Sequence, residues 1–117
     1  MKKYALILAF LSLISQNTFA ADMAGSGLGV LTCAEITRMH NQDGGTEVYT
    51  FVWAQGYMSG ANVERLVRRE NTRDLGAVSN SGQIAYLLNY CDRNPLEPYW
   101  FAVKVLMDSL PEHQLAK

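Results

Sequence analysis

Two cysteines, Cys33 and Cys91, are the whole thiol complement of this chain, and their chemistry depends on the compartment the chain reaches. Met1-Lys2-Lys3 is a short positive start, and Tyr4 to Ile14 is apolar apart from Ser12. Thr18-Phe19-Ala20 then places small residues at the two positions that flank Phe19, ahead of Ala21. These are the three regions of a secretory signal peptide, predicting cleavage after Ala20. The apolar run is about half of the roughly twenty residues that span a bilayer as a helix. No cysteine adjoins the junction to take a lipid. A Gram-negative periplasm is the expected destination, and an exported cysteine pair there oxidises. Neither a C-x-x-C motif nor a histidine beside either cysteine supports a redox or nucleophilic thiol instead. A Cys33–Cys91 bridge closes nearly the whole domain and is worth about 4 kcal/mol in the chain-entropy account. Domains of this size have about 5–15 kcal/mol in all, so the bridge is expected to decide whether the chain stays folded.

Export also changes the charge. Losing Lys2 and Lys3 from ten Lys/Arg leaves eight against eleven Asp/Glu, a net −3 for the exported form. That balance argues against nucleic acid held by bulk charge. With 49% hydrophobic residues the chain has material for one core, and no segment after the leader is long and apolar enough to embed in a membrane. Residues 21–31 read as a flexible leader rich in small residues. Gly25, Gly27 and Gly29 alternate there without the strand, lysine and helix that a phosphate loop needs.

From Thr32 the pattern is helical throughout, predicting an all-α single-domain bundle of about four helices over 32–112 and a frayed tail over 113–117. Thr32-Cys33-Ala34-Glu35 is a capping box that opens a short helix to about His40, followed by a loop from Asn41 to Gly45. Thr46 is the expected cap of a longer helix, whose inner face is predicted from Val48, Phe51, Val52, Gln55 and Met58 or Ser59. That helix continues to about Glu70. Asn71 to Ser79 has little pattern. Asn80-Ser81-Gly82-Gln83 starts a third helix, with Ile84, Leu87, Leu88 and Cys91 on one side, stopped by Pro95. Pro98 opens a fourth, with Trp100, Val103, Leu106, Met107 and Leu110 as its apolar stripe.

Three features of the second helix attract a functional reading. Gly56 and Gly60 lie four apart in a helix interior, where each costs about 0.5–1 kcal/mol relative to alanine. Either another helix approaches closely or the helix kinks there, or a concave surface bordered by Trp53 and Tyr57 receives a partner. Arg65, Arg68, Arg69 and Arg73 form a basic stripe that is either a solvated face or an anionic docking patch. Trp53, Gly56, Tyr57, Gly60, Arg65, Arg68 and Arg69 are therefore the candidate partner-binding residues, since aromatics and arginines dominate interface hot spots. No catalytic residue, cofactor or metal ligand is nominated. His40 and His113 are the only ordinary general bases, and no nucleophile elbow or H-E-x-x-H accompanies them.

Leu31-Thr32-Cys33-x-Glu35, the aromatic middle helix with Trp53, and Tyr90-Cys91-x-x-Asn94-Pro95 ahead of a last helix resemble the HdeA/HdeB family of small periplasmic acid-stress chaperones. The resemblance implies a single-disulfide helical domain, often a homodimer, that loosens in acid and shields unfolding clients. Exposed faces around Phe51, Val52, Ile84, Leu87 and Leu88 would then hold the clients. The Gly56-Tyr57-x-x-Gly60 helix between two cysteines is also similar to the Rap/Tai immunity proteins, which neutralise secreted effectors in the periplasm. That similarity implies one effector partner instead. A periplasmic accessory domain is the third class. The first two are protein-binding roles, the third has no assigned role, and none of them calls for catalysis.

Overall fold

The computed structural model describes residues 25–116; the expected signal peptide lies outside them. The domain is all-α, as expected. A 3-10 turn at Gly27–Val30 leads into α1 (Cys33–Gln42), α2 (Thr46–Val67), α3 (Asn80–Arg93) and α4 (Tyr99–Ser109). A two-residue strand β1 (Thr72–Arg73) pairs antiparallel with β2 (Glu112–His113), Thr72 opposite His113 and Arg73 opposite Glu112.

The start of α1 is the most heavily tied point. Its capping box is complete: the Thr32 N–H donates to Glu35 Oε2 at 2.8 Å, and the Glu35 N–H donates to Thr32 Oγ1 at 3.3 Å. Hydrogen bonding to the carboxylate, chiefly from the Thr32 N–H, holds the Glu35 pKa below its usual value. The next two amides of the first turn find carbonyls outside the helix. Cys33 N–H donates to Glu97 O at 2.7 Å and Ala34 N–H to Pro95 O at 2.9 Å. Cys33 and Cys91 are disulfide-bonded as expected, with Cα atoms 4.6 Å apart. The bridge, the cap and the α3–α4 loop thus fix one corner of the molecule.

The core forms where α4 lies against α2 and α3, with Tyr99, Ala102, Val103, Leu106 and Met107 contributed by α4 and Leu110 by the C-cap that follows it. Trp100, expected in that stripe, is half-buried at its edge. The Tyr99 hydroxyl donates to Thr50 O at 3.0 Å inside the core. Burial pushes the Tyr99 pKa up to about 12. From α3 come Leu87 and Cys91, together with a fully buried Gln83. Its amide is satisfied on both sides: Gln83 Oε1 accepts from Gln55 Nε2, and Gln83 Nε2 donates to Leu75 O and Val78 O, each at 2.8 Å. Helix α3 begins at Asn80 as expected, capped by Ser79, whose Oγ accepts from the Gly82 N–H at 3.2 Å.

Several expectations about α1, α2 and the segments outside the helices are corrected. The loop expected from Asn41 begins only at Asp43, because α1 runs through Gln42. Gly45 caps α2 while Thr46 is its first residue; Asp43 Oδ1 accepts from the Gly45 N–H at 2.9 Å and so shapes the entry. The buried line of α2 is Thr46, Thr50, Ala54 and Met58, not the predicted face. Of that face Met58 is buried and Phe51 and Gln55 half-buried, whereas Val48, Val52 and Ser59 face outward. Small residues are selected inward because α4 and α1 approach closely, and Thr50 hides its hydroxyl by donating to Glu47 O at 3.0 Å.

The flexible leader drawn over 21–31 is too long. Leu28 and Leu31 pack on the core, and Gly29 is buried beneath Trp53, where an added Cβ would overlap the indole. The patternless stretch from Asn71 holds β1, gripped by Asn62, whose side-chain amide exchanges two 2.8 Å bonds with the Arg73 backbone. The tail likewise carries the end of β2 at His113, and Leu115 N–H reaches Asn71 Oδ1 at 3.4 Å.

Candidate protein-binding surface

The predicted binding residues do not make one surface. Trp53 and Tyr57 stack on each other with ring centroids 5.6 Å apart, and Trp53 also meets Tyr99 at 5.7 Å. Both are half-buried on the core side, and burial raises the Tyr57 pKa. Gly56 and Gly60 point the other way. A Cβ built on either meets nothing within 4 Å, so among the described residues no helix approaches them. Close approach within the fold is therefore not what the glycines serve.

The basic stripe also divides. Arg65 donates to Asn71 O at 3.3 Å, and Arg68 sits between Glu64 at 3.5 Å and Glu70 at 3.4 Å. Arg69 closes α2 with φ of 59°, the left-handed position of a Schellman end. The Glu70 N–H there donates to Arg65 O at 2.9 Å and the Arg69 N–H to Leu66 O at 3.0 Å. Arg73 is turned inward, donating to Leu110 O at 3.0 Å and lying 4.0 Å from Glu112. Acidic neighbours and carbonyls occupy most of this stripe, so it does not present a free cationic patch.

The surface expected to hold clients is largely internal. Leu87 is buried, and the half-buried Phe51, Ile84 and Leu88 enclose a void of about 10 Å³ with Ile36, Thr50 and Tyr99. Of that set, Val52 alone is exposed. Tyr86 and Tyr90, which flank the inner side of α3, pack on the core.

What sequence reasoning missed is the outer face of α2. At 3.6 residues per turn, Val48, Tyr49, Val52, Gly56, Ser59, Gly60, Val63, Leu66 and Val67 share one side. All nine are exposed, the large ones from 50% at Leu66 to 79% at Val67, and none carries a charge. The signal was present as a second apolar stripe, but only one of two such stripes can face a core. Elsewhere, an open groove of about 390 Å³ runs between α1 and α3, lined by residues including Arg38, Gln42, Asp92 and Pro95. A hollow of about 310 Å³ lies against Pro98, Trp100 and Phe101.

His40 Nδ1 is 3.9 Å from Glu47 Oε2, and His113 is exposed in β2. Among the described residues no three His, Cys, Asp or Glu side chains converge as a metal site would require. No helix among them is long and apolar enough to cross a membrane. Comparison with known proteins gives no match: no family model, curated protein or solved structure is significantly similar to this chain.

Proposed function

We propose that the protein is a small exported protein-binding protein that docks one partner protein on the outer face of α2 while remaining folded. The observation that carries this reading is the uncharged face from Val48 to Val67, held open on a disulfide-tied fold. Contiguous exposed apolar surface of this kind marks interaction sites in soluble proteins. An immunity or inhibitor role against one effector uses such a face directly, with no need to unfold.

Acid-triggered shielding of many clients has less support from the geometry. The apolar side chains it would release are in the core, and the Glu64–Arg68, Glu70–Arg68 and Lys104–Asp108 pairs are exposed. Pairs of that sort contribute about 0–1 kcal/mol, so protonating them releases little.

Affinity capture from periplasm at neutral pH and at pH near 3, with wild type and Val52→Glu, tests the proposal. One stoichiometric partner at neutral pH, lost in the variant, is the expected result. Many acid-dependent clients would establish the shielding role instead, and capture indifferent to Val52→Glu would overturn this use of α2.

A further inference from the structure

The groove between α1 and α3 carries two opposite charges that do not meet. Arg38 stands on its α1 wall and Asp92 on its α3 wall. Neither forms an ion pair with the other, or with any charged group among the described residues. Arg38 donates to Gln42 Oε1 at 3.5 Å, while Glu35, the carboxylate nearest it along α1, is committed to the Thr32 cap. Asp92 lies in the last turn of α3, where the negative end of the helix dipole disfavours a carboxylate. We infer that this groove binds a short zwitterionic peptide, of about dipeptide size, with its carboxylate on Arg38 and its ammonium on Asp92. The site shares no residue with the outer face of α2 and is independent of the docking reading.

The rest of the lining suits such a ligand. Thr37, Arg38, Asn41 and Gln42 recur three and four residues apart and so share one side of α1. The carboxamides of Asn41 and Gln42 each offer donors and an acceptor, which match the C=O and N–H of a peptide bond. The Thr37 hydroxyl oxygen is buried and has no hydrogen-bond partner. Buried polar groups are normally paired, and threonine has two rotamers open to it in a helix. A ligand amide seated against Thr37 supplies the partner that the chain does not. Ala34, Cys91 and Pro95 add apolar surface for a small side chain.

Size and spacing point to a dipeptide. The groove, at about 390 Å³, lies near the lower end of the roughly 300–1,000 Å³ of small-ligand sites. A free amino acid carries both charges on one Cα, whereas a dipeptide carries them on Cα atoms about 3.8 Å apart. The wider spacing suits charges on facing walls that do not reach each other. The guanidinium fork also matches a carboxylate bidentately. Both ion pairs would be open to solvent and screened, which sets the expected affinity in the millimolar range.

NMR titration of the purified, disulfide-bonded protein with alanylalanine tests the inference. One saturable site is expected, with amide shifts confined to α1 and the end of α3. Arg38→Gln and Asp92→Asn should each weaken binding about three- to fivefold, as befits the loss of one exposed ion pair. Lys104→Gln, which removes a charge from α4, should leave it unchanged. All three side chains are exposed, so helical circular dichroism should be the same in every variant. N-Acetyl-alanylalanine and alanylalanine amide should bind more weakly than the free dipeptide by the same factor. Acetylation should cost nothing further in Asp92→Asn, nor amidation in Arg38→Gln. No saturable shift at tens of millimolar peptide, shifts scattered over other surfaces, or binding indifferent to either variant would each overturn the site. Free alanine binding as tightly as the dipeptide would overturn the assigned size. Acetylated peptide binding as tightly as the free one would overturn the zwitterionic assignment in favour of a chain's carboxyl end.

Discussion

Cys33 and Cys91 are separated by 58 residues in sequence yet have Cα atoms 4.6 Å apart, joining the first residue of α1 to the last turn of α3. Between them lie all of α2 and most of α3. Replacing both by alanine frees that loop in the unfolded chain and is expected to cost about 4 kcal/mol. Urea denaturation of the double variant against wild type measures it; an unchanged midpoint would show that the corner holds without the bridge.

Glycines 29, 56 and 60 should respond to alanine with opposite signs. Gly29→Ala drives a methyl into the Trp53 indole and is expected to destabilise by about 1–3 kcal/mol, with a shift in tryptophan emission as the ring moves. Gly56→Ala and Gly60→Ala meet open space, so each should stabilise the monomer by about 0.5–1 kcal/mol. Thermal melts of the three variants against wild type separate the two cases.

Arg69 occupies a backbone conformation that favours glycine. Arg69→Gly should therefore raise stability by about 0.5–1 kcal/mol, or a few degrees in Tm for a domain of this size. A fall in Tm would mean that the guanidinium supports the end of α2.

Glu35 makes a definite prediction about acid. Its folded pKa is depressed by the Thr32 hydrogen bonds, so its contribution is present above the unfolded value of 4.5 and is lost as pH falls through the lower folded value. Glu35→Gln removes the titration but leaves an acceptor for the Thr32 N–H. The variant should thus lose less stability than wild type between pH 7 and pH 3, read from denaturation midpoints at the two pH values. Equal losses would place the acid sensitivity elsewhere.

Much of this architecture was legible because its signals are local. The Thr32–Glu35 box is a four-residue pattern, the α4 stripe repeats with helical period, and Cys33 and Cys91 are the only two cysteines there are to pair. The misreadings have a common physical origin. Helix α2 is apolar on two sides, and hydropathy favours valine over the threonine and alanine that close packing against α4 selects. The Asn62 grip on Arg73 and the pairing of β1 with β2 join residues distant in sequence, so no window along the chain reveals them. The outer face of α2 escapes notice for the same reason: Gly56 and Gly60 stand out in the sequence, but the side of the helix they lie on is a tertiary fact.

The buried amide of Gln83 links α2 through Gln55 to two carbonyls of the segment before α3. That segment cannot swing away by itself, because freeing it strands a polar group in the interior. Backbone amides from Leu75 through the opening turn of α3 should hence exchange with solvent as a single cooperative unit, a latch whose release loosens the middle of the molecule all at once.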